Sequence, residues 1–182
     1  MPATITIVQK DNPILRTISR EILLPEIRTA KIKKVILDLK RAMRQQPDAV
    51  AIAAVQIGAP VRLFIIAKRA FTLTGNKGQP AKDLIFINPK ITRVSKDKQF
   101  VEEGCLSVKY VYGNVERPDK ATIEAVDETG KKFTRGFSGF LAQVVQHETD
   151  HLNGILFTDI AKDTHTLTQE EYEKNLAEIA KI

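Results

Sequence analysis

Apolar residues recur every three or four positions in three parts of the chain, and this spacing predicts amphipathic helices. The first part lies within residues 26–44, the second within residues 138–153 and the third within residues 169–182. In the second part Ser138 stands where a side chain can cap a helix, and Gly154 stands where a helix commonly ends. The apolar stripe of this second helix comprises Phe140, Leu141, Val144, Val145 and Leu152.

Short unbroken apolar runs predict buried strands at residues 61–66 and 84–87. An Asn-Pro pair at residues 88–89 is expected to break the chain before a further apolar segment at 91–94. Residues 74–80 have the glycine, asparagine and proline content of a loop.

Two more segments, at residues 120–126 and 132–137, flank a turn-forming Asp-Glu-Thr-Gly sequence, which predicts a β-hairpin. Several strands are followed by helices, without regular alternation of strand and helix. This order predicts an α+β domain.

The length of 182 residues suits one domain with a real core and is short for two, so residues 1–182 are predicted to form a single domain. No stretch approaches the roughly 20 apolar residues of a membrane span, and residues 1–10 lack the features of a secretory signal. The single cysteine, Cys105, rules out an internal disulfide. We therefore expect a cytoplasmic protein with no membrane partner.

The net charge of +6 is concentrated in residues 26–44, where seven basic residues stand against two acidic ones. A nucleic-acid surface is one interpretation. The other is the solvated face of a helix, and it is favoured because Ile32, Leu39 and Met43 repeat at helical spacing on the opposite side. No aromatic residues interleave the basic ones, so we expect no sequence-specific binding of nucleic acid.

The strongest chemical signal is the sequence HETDH at residues 147–151, inside the second predicted helix. Histidines at positions i and i+4 project from one helix face, so His147 and His151 can reach one metal ion. Glu148 would lie beside the ion, where a carboxylate can transfer a proton, and Asp150 could orient a ligand. A chance surface occurrence is the alternative. It is disfavoured because the chain has only three histidines and His147 shares a face with Val144.

Two histidines leave a metal site short of ligands. Downstream, Asp159, Asp163 and His165 are candidates, but none has a characteristic spacing. Upstream, Cys105 lies in the sequence EEGCLS, although a lone cysteine is more often a small buried hydrophobe. A Cys-His-His set would leave the fourth position open for water, as a catalytic site requires.

Residues 49–58 form a run of small apolar residues in which Gln56 is the only polar side chain. Such a run lets a backbone approach a substrate or a neighbouring strand closely. The alternative is a short core helix or strand with Gln56 at its exposed edge.

Three segments follow one another as AVAIAAVQ at 49–56, EGCLS at 103–107 and QHETDH at 146–151. Together they resemble the peptide deformylase family, whose patterns G-x-G-x-A-A-x-Q, E-G-C-L-S and Q-H-E-x-D-H occur in this order. The resemblance fades after about residue 159. It also includes DNPILR at 11–16, INP at 87–89 and LNGILF at 152–157.

The resemblance implies a fold of antiparallel sheets packed around a central metal-binding helix, with a C-terminal helix. It implies that Cys105, His147 and His151 bind one divalent ion, iron(II) in the cell, while zinc, nickel or cobalt can occupy the site in purified protein. It implies that the Gln56 amide and the Leu106 backbone N–H stabilise the oxyanion, and that Glu148 carries the proton.

The implied reaction removes the formyl group from formylmethionine at the N-terminus of nascent peptides and releases formate. The substrate would contact residues from the small apolar run, the cysteine motif and the metal-binding helix. These are Ala51, Ile52, Val101, Glu103, Gly104, Phe140, Gln143 and Val144.

Three features depart from the family pattern. Ala49 and Ala51 replace glycines, which would add strain only if these positions need positive φ. Gln143 is polar where relatives are usually apolar, which could alter the accepted first residue. The last predicted helix carries four glutamates against two lysines, so ribosome docking through a basic C-terminal helix is unsupported.

Two other functions remain open at the level of sequence. A zinc endopeptidase of the H-E-x-x-H kind would cut internal peptide bonds without needing a formyl group. A deformylase-like fold could also serve as a binding module, for RNA through the basic helix, because fold does not fix function.

Overall fold

The computed structural model describes residues 4–73, 80 and 82–179, in which the chain forms four α-helices, four short 3₁₀ helices and eight strands. The predicted loop at 74–80 lies outside the described residues except for Pro80. The helices are α1 (Ala30–Gln45), α2 (Lys68–Leu73), α3 (Gly139–Leu152) and α4 (Gln169–Ile179). The strands are β1 (Ala51–Ala53), β2 (Leu63–Ile66), β3 (Leu84–Val94), β4 (Lys98–Cys105), β5 (Val108–Pro118), β6 (Lys120–Val126), β7 (Lys132–Ser138) and β8 (Asp163–Thr166).

The strands form two antiparallel sheets, which confirms the predicted α+β class. One sheet has five strands in the order β1-β2-β3-β6-β7, and the other has three in the order β4-β5-β8. Both β1 and β4 are therefore edge strands. An edge strand keeps backbone N–H and C=O groups that no neighbouring strand in its sheet pairs.

The five-stranded sheet lies between α3 on one face and α1 on the other. Phe64 and Ile66 of β2 belong to a core cluster that includes Leu141 and Val145 of α3. Leu63 and Ile65 of the same strand belong to a second cluster, which includes Ile32, Leu39 and Met43 of α1. Because successive side chains of a strand point to opposite faces, a strand covered on both sides is apolar throughout.

The basic residues of α1 lie on the side of the helix away from this second cluster. Ile32 and Leu39 are fully buried, whereas Lys34 is exposed and pairs with Asp38 one turn along the helix at 2.5 Å. Within the described residues, no helix is both long enough and apolar enough to cross a bilayer.

The predicted hairpin is confirmed, since β6 and β7 pair along their whole length from Lys120↔Ser138 to Val126↔Lys132. The predicted break at Asn88 is wrong, because β3 runs continuously through it with a register shift. Asn88 has φ 49°, which asparagine tolerates better than most residues, and its amide bonds both the N–H and the C=O of Ile22. The sequence therefore encodes a bulge here rather than an end.

The predicted end signals of α3 are confirmed at its C-terminus but not at its N-terminus. Gly154 has φ 76°, as expected after a helix, and a Cβ there would stand 2.7 Å from the Arg16 carbonyl oxygen. Ser138 occupies the N-cap position, but its side chain makes no capping hydrogen bond. Ser138 is also the last residue of β7, paired with Lys120, and its extended backbone follows that strand.

Candidate active site

His147 and His151 lie one turn apart on α3, with ring centroids separated by 4.8 Å. Strand β4 ends at Cys105 and brings its sulfur to 3.2 Å from Nε2 of His151. One ligand atom from each of these three residues lies within 4.8 Å of the other two, and no other such group of potential ligands is found among the described residues. The two elements thus bring together residues that are 46 positions apart in the sequence.

This group fits a single ion. Zinc sits about 2.3 Å from sulfur and about 2.0–2.1 Å from nitrogen, so ligand atoms around one ion stand roughly 3–4 Å apart. Thiolate and imidazole donors suit zinc, iron, nickel and cobalt. The downstream candidates lie elsewhere: Asp159 pairs with Arg16, and the His165 ring stacks on Tyr112.

Glu103 orients His147. Its Oε2 lies 2.8 Å from Nδ1 of His147, so the other ring nitrogen is the one left to bind a metal. Arg117 donates two hydrogen bonds to the same carboxylate, at 2.8 and 3.0 Å. Burial raises the pKa of Glu103, but the hydrogen bonds from His147 and Arg117 outweigh it and lower the pKa to about 2. The carboxylate is therefore ionised at neutral pH.

Arg117 also bonds Asp150 through Nη1, at 2.6 Å. The guanidinium is only 6% exposed and so joins β5 to both β4 and α3. Asp150 was predicted to orient a ligand, and its bond to Arg117 connects it to His147 through Glu103. Arg117 itself was not predicted, because no motif or spacing in the sequence distinguishes it from the other basic residues.

Glu148 follows His147 on α3 and is 4% exposed. Its Oε2 has no hydrogen-bond partner within the described part of the chain, an unusual state for a buried carboxylate. Burial raises the pKa of Glu148 to about 7, although the charge of His147 opposes this shift. The carboxylate is thus free to exchange a proton with a bound molecule.

The two histidines have opposite pKa shifts. Burial lowers the pKa of His147, but hydrogen bonds with Cys105 and Glu103 reverse this and raise it well above the usual value. Burial, with the charge of His147, lowers the pKa of His151 well below the usual value. A bound divalent cation would favour the neutral, metal-binding form of both rings.

Gln56 is 2% exposed, and its amide lies close to Cys105. The alternative prediction, in which Gln56 lies at the exposed edge of a core helix or strand, is therefore wrong. Its Oε1 accepts the N–H of Ala53 at 2.8 Å. Its Nε2 donates to the Ser107 hydroxyl at 3.2 Å and lies 3.5 Å from the Cys105 sulfur. The bond to Ala53 fixes the amide so that its N–H groups face the cysteine.

A cavity of about 680 Å³ opens beside Cys105 and His147. Most residues predicted to contact substrate line it: Ala51, Glu103, Gly104, Phe140, Gln143 and Val144. Leu106, predicted to donate its backbone N–H to the oxyanion, lines it as well. Ile52 does not line it, because its side chain is fully buried in the core beneath α1. Val101 does not line it either; it lies in β4 opposite Val115.

The departures from the family pattern have simple structural accounts. Among the described non-glycine residues only Asn88 and Tyr110 have positive φ, so Ala49 and Ala51 are not strained. The Gln143 side chain donates to the Glu102 carbonyl oxygen at 2.9 Å and so connects α3 to the edge strand β4. Phe140 was predicted to face inward, but it is 38% exposed at the first turn of α3.

A cysteine sulfur from an edge strand and two imidazoles from one helix meet beside a buried glutamate and a cavity. Together with the fold, these features are those of a metallohydrolase, with a site that could hold one ion.

Comparison with known proteins gives the family. A model of the polypeptide deformylase family matches residues 4–166. A peptide deformylase of Rhizobium meliloti is 41% identical over 148 residues, which are 81% of this chain and 79% of that protein. The chain belongs to the polypeptide deformylase family.

Solved structures show the same fold. A class I type b peptide deformylase from Acinetobacter baumannii, bound to Met-Ala-Ser, matches with a TM-score of 0.76 and 30% identity over 88% of this chain and 99% of its own. A peptide deformylase from Synechococcus elongatus in complex with actinonin matches with a TM-score of 0.74 and 28% identity over 98% of this chain and 87% of its own.

Proposed function

We propose that this protein hydrolyses the formyl amide of N-terminal formylmethionine on newly synthesised peptides and releases formate. The observation that carries the proposal is the meeting of ligand atoms of Cys105, His147 and His151 within 4.8 Å of one another. Two of these residues, Cys105 and His147, line a cavity that Gln56 and Glu148 also line. Ligands, proton carrier and amide donor thus share one space that is large enough for a peptide end.

The two edge strands support an extended binding mode for the peptide. Ala51 of β1 and Gly104 of β4 both line the cavity, and each strand lacks a partner on one side within its sheet. An extended peptide can add to such an edge through backbone hydrogen bonds, while side chains enter pockets on either side. The methionine side chain would then enter the pocket formed by Phe140, Gln143 and Val144.

The residues around the cavity divide the chemical work. Cys105, His147 and His151 would hold one divalent ion, which would supply a Lewis acid for the formyl carbonyl and the attacking water. Glu148 takes the proton of the attacking water at its unpartnered Oε2 and passes it to the departing amine nitrogen. The Gln56 amide and the Leu106 backbone N–H donate to the oxygen on which negative charge develops.

The family resemblance supports iron(II) as the ion in the cell, and the cysteine and histidine donors also suit zinc, nickel or cobalt in purified protein. Cys105 is not in a disulfide, which agrees with a reducing compartment. Because newly synthesised peptides are the proposed substrate, we expect the reaction to take place in the cytoplasm. Transient proximity to the ribosome follows from the substrate alone, because the acidic α4 gives no basic docking helix.

The test is formate release from formyl-Met-Ala-Ser by protein loaded anaerobically with iron(II). We expect formate from this peptide, none from its acetylated analogue and no cleavage of internal bonds. Glu148→Gln should abolish release while metal content stays the same, and Glu173→Gln, at an exposed position on α4, serves as the matched control. Cleavage of internal bonds without formate release would instead establish the endopeptidase alternative.

A further inference from the structure

A second cavity, of about 430 Å³, lies at one end of the five-stranded sheet. It opens where β3 and β7 end and β6 begins, at residues 93–95, 135–138 and 120–122. Among the described residues, it shares none of its lining with the cavity of the candidate active site. Phe140 lines the first cavity and Leu141 the second, so the first turn of α3 lies between them. An occupant of the second cavity would therefore leave the catalytic groups uncovered.

Three basic residues line the second cavity, one from each strand: Arg93 of β3, Lys120 of β6 and Arg135 of β7. We call them the cationic triad. In the part of the chain that the structure describes, no member of the triad forms an ion pair or a side-chain hydrogen bond. No described acidic residue lines the cavity either, and Asp119, next to Lys120, accepts a hydrogen bond from Gln99 instead. Three uncompensated positive charges around one space attract an anion.

Aromatic rings fix the position of Arg135. Its guanidinium carbon lies 5.2 Å from the ring centroid of Phe71 and 5.3 Å from that of Phe137, and both rings are buried. A guanidinium over an aromatic ring keeps N–H groups at its edge, and a pair of them matches two phosphate oxygens. Because the rings already hold the side chain, binding an anion would cost little side-chain entropy.

Hydroxyl groups beside the triad add neutral donors to the cavity. Thr122 pairs with Arg93 of the neighbouring strand. Ser138 pairs with Lys120 in the same way, so each hydroxyl stands beside a basic residue. Both residues line the cavity, and neither hydroxyl bonds another described residue. Gly136 pairs with Thr122 on the other side, and nothing lies within 4 Å of the Cβ that another residue would place there, so the glycine leaves space for a ligand.

The number and spacing of the charges favour a ligand with more than one phosphate. Strands β3, β6 and β7 are neighbours in the sheet, and strands lie about 4.8 Å apart, so the triad spans roughly 10 Å. A phosphate group carries about −1.5 to −2 charges at neutral pH, so two linked groups are needed to balance three positive charges. Ala121, Phe137 and Leu141 supply apolar surface in the same cavity, against which the organic part of a nucleotide can pack.

We propose that the cationic triad, together with Thr122 and Ser138, binds a diphosphate group. Inorganic pyrophosphate and a nucleoside diphosphate both carry this group. The site does not depend on the proposed function, because it shares no described residue with the cavity in which deformylation would take place.

Titration calorimetry of the metal-loaded protein with pyrophosphate, adenosine diphosphate and inorganic phosphate tests the site. Saturating Met-Ala-Ser is present throughout to fill the cleft and keep these anions from the metal. We expect one site per chain that binds both diphosphates at least about tenfold more tightly than phosphate. Tighter binding of adenosine diphosphate would support a nucleotide as the occupant, and tighter binding of pyrophosphate would support the inorganic ion.

Two substitutions in the cavity and one matched control separate a built site from general attraction. Arg135→Met keeps the packing over both rings but removes the charge, and should weaken diphosphate binding by about tenfold or more. Lys132→Met removes the same charge from an exposed position of β7 outside the lining, and should change the affinity by less than about twofold. Gly136→Val fills the space beside Thr122 without removing a charge, and should abolish binding.

Thermal unfolding should be cooperative for all three variants, because valine suits a strand and methionine keeps the length of the side chain that it replaces. An equal loss of affinity in Arg135→Met and Lys132→Met would overturn the site, because it would reflect net charge alone. Unchanged binding by Gly136→Val would overturn it as well. A single-stranded RNA that binds more tightly than adenosine diphosphate, and loses affinity in the same variants, would assign the triad to nucleic acid and overturn the diphosphate.

Discussion

At the metal end of the cleft the polar side chains of Gln56, Glu103 and Arg117 are less than a tenth exposed, and each bonds another residue of the site. Where Tyr110, Tyr112 and Tyr172 line the cavity, Tyr172 is half-buried and its hydroxyl donates a hydrogen bond to Asp48. The first region consists of α3, β4 and β5 together with the turn after β1. The second also needs α4, which lies outside the matched residues 4–166.

The difference separates two kinds of requirement. Chemistry at the metal end restricts the residue types, because only a few side chains can bind an ion, carry a proton or stabilise an oxyanion. The three tyrosines offer apolar contact area, which many residue types supply. Substitutions at the first end should therefore change kcat or metal affinity, and substitutions at the second should change KM for particular peptides.

The largest effect is expected for Glu148→Ala. Loss of a positioned proton carrier lowers kcat by about 10²–10⁴-fold, whereas metal content should not change because Glu148 is not in the ligand group. Steady-state formate release combined with metal analysis measures both quantities. Loss of the metal from this variant would show that Glu148 is needed for metal binding. Its role would then not be limited to proton transfer.

The next effect is expected for Gln56→Leu, which keeps most of the volume and removes the amide. A single oxyanion donor is worth about 10²–10³-fold in kcat. KM for formyl-Met-Ala-Ser should change little, because the amide contacts the reacting oxygen and not the peptide chain. A large rise in KM with an unchanged kcat would place Gln56 with the recognition residues.

Arg117→Met tests the buried ion pair that orients His147. Loss of a group that positions a metal ligand lowers metal affinity by about 10–100-fold, measured by competition with a chelator for zinc or cobalt. It also leaves the buried carboxylate of Glu103 without its guanidinium partner, which costs about 3–5 kcal/mol of unfolding free energy. The matched control is Arg20→Met, which breaks an exposed pair with Glu26 and should leave metal affinity unchanged.

A double variant separates the two consequences. Arg117→Met combined with Glu103→Gln removes the uncompensated charge, so part of the lost unfolding free energy should return. Metal affinity should stay low, because His147 still lacks its carboxylate. Recovery of both quantities would show that Arg117 acts on stability alone.

The residues of the candidate site differ in how well they could be predicted from the sequence. The spacing of His147 and His151 on a helix could be recognised directly, because two ligands one turn apart share a face whatever surrounds them. Cys105 was ambiguous on its own residue type, and only the family pattern singled it out. Arg117 carried no local signal, since its partners lie 14 and 33 positions away and only the fold brings them together.

The strands that were missed have a physical reason too. In β4 most residues are exposed or half-exposed, with Lys98 and Glu102 on one face and Glu103 on the other. A strand at the edge of a small sheet has no continuous buried face, so it lacks the alternation that reveals strands in a sequence. The buried strand β2, covered on both sides, was predicted at nearly its observed position. The hydrogen bond between Tyr172 and Asp48 joins residues 124 positions apart, so no local sequence pattern could predict it.

The smallest effect is expected for Gln143→Leu, which lies between the two ends of the comparison. Its amide bonds the Glu102 carbonyl, and loss of this hydrogen bond should lower the unfolding free energy by about 1 kcal/mol. Leucine would also make the pocket wall apolar, so the preference for formyl-Met-Ala over formyl-Gln-Ala should rise by roughly fivefold, which corresponds to about 1 kcal/mol. Competition between the two peptides measures the ratio of their kcat/KM values, with Gln169→Leu on α4 as the control. An unchanged ratio would mean that Gln143 only fastens α3 to β4 and that the first residue is selected by Phe140 and Val144.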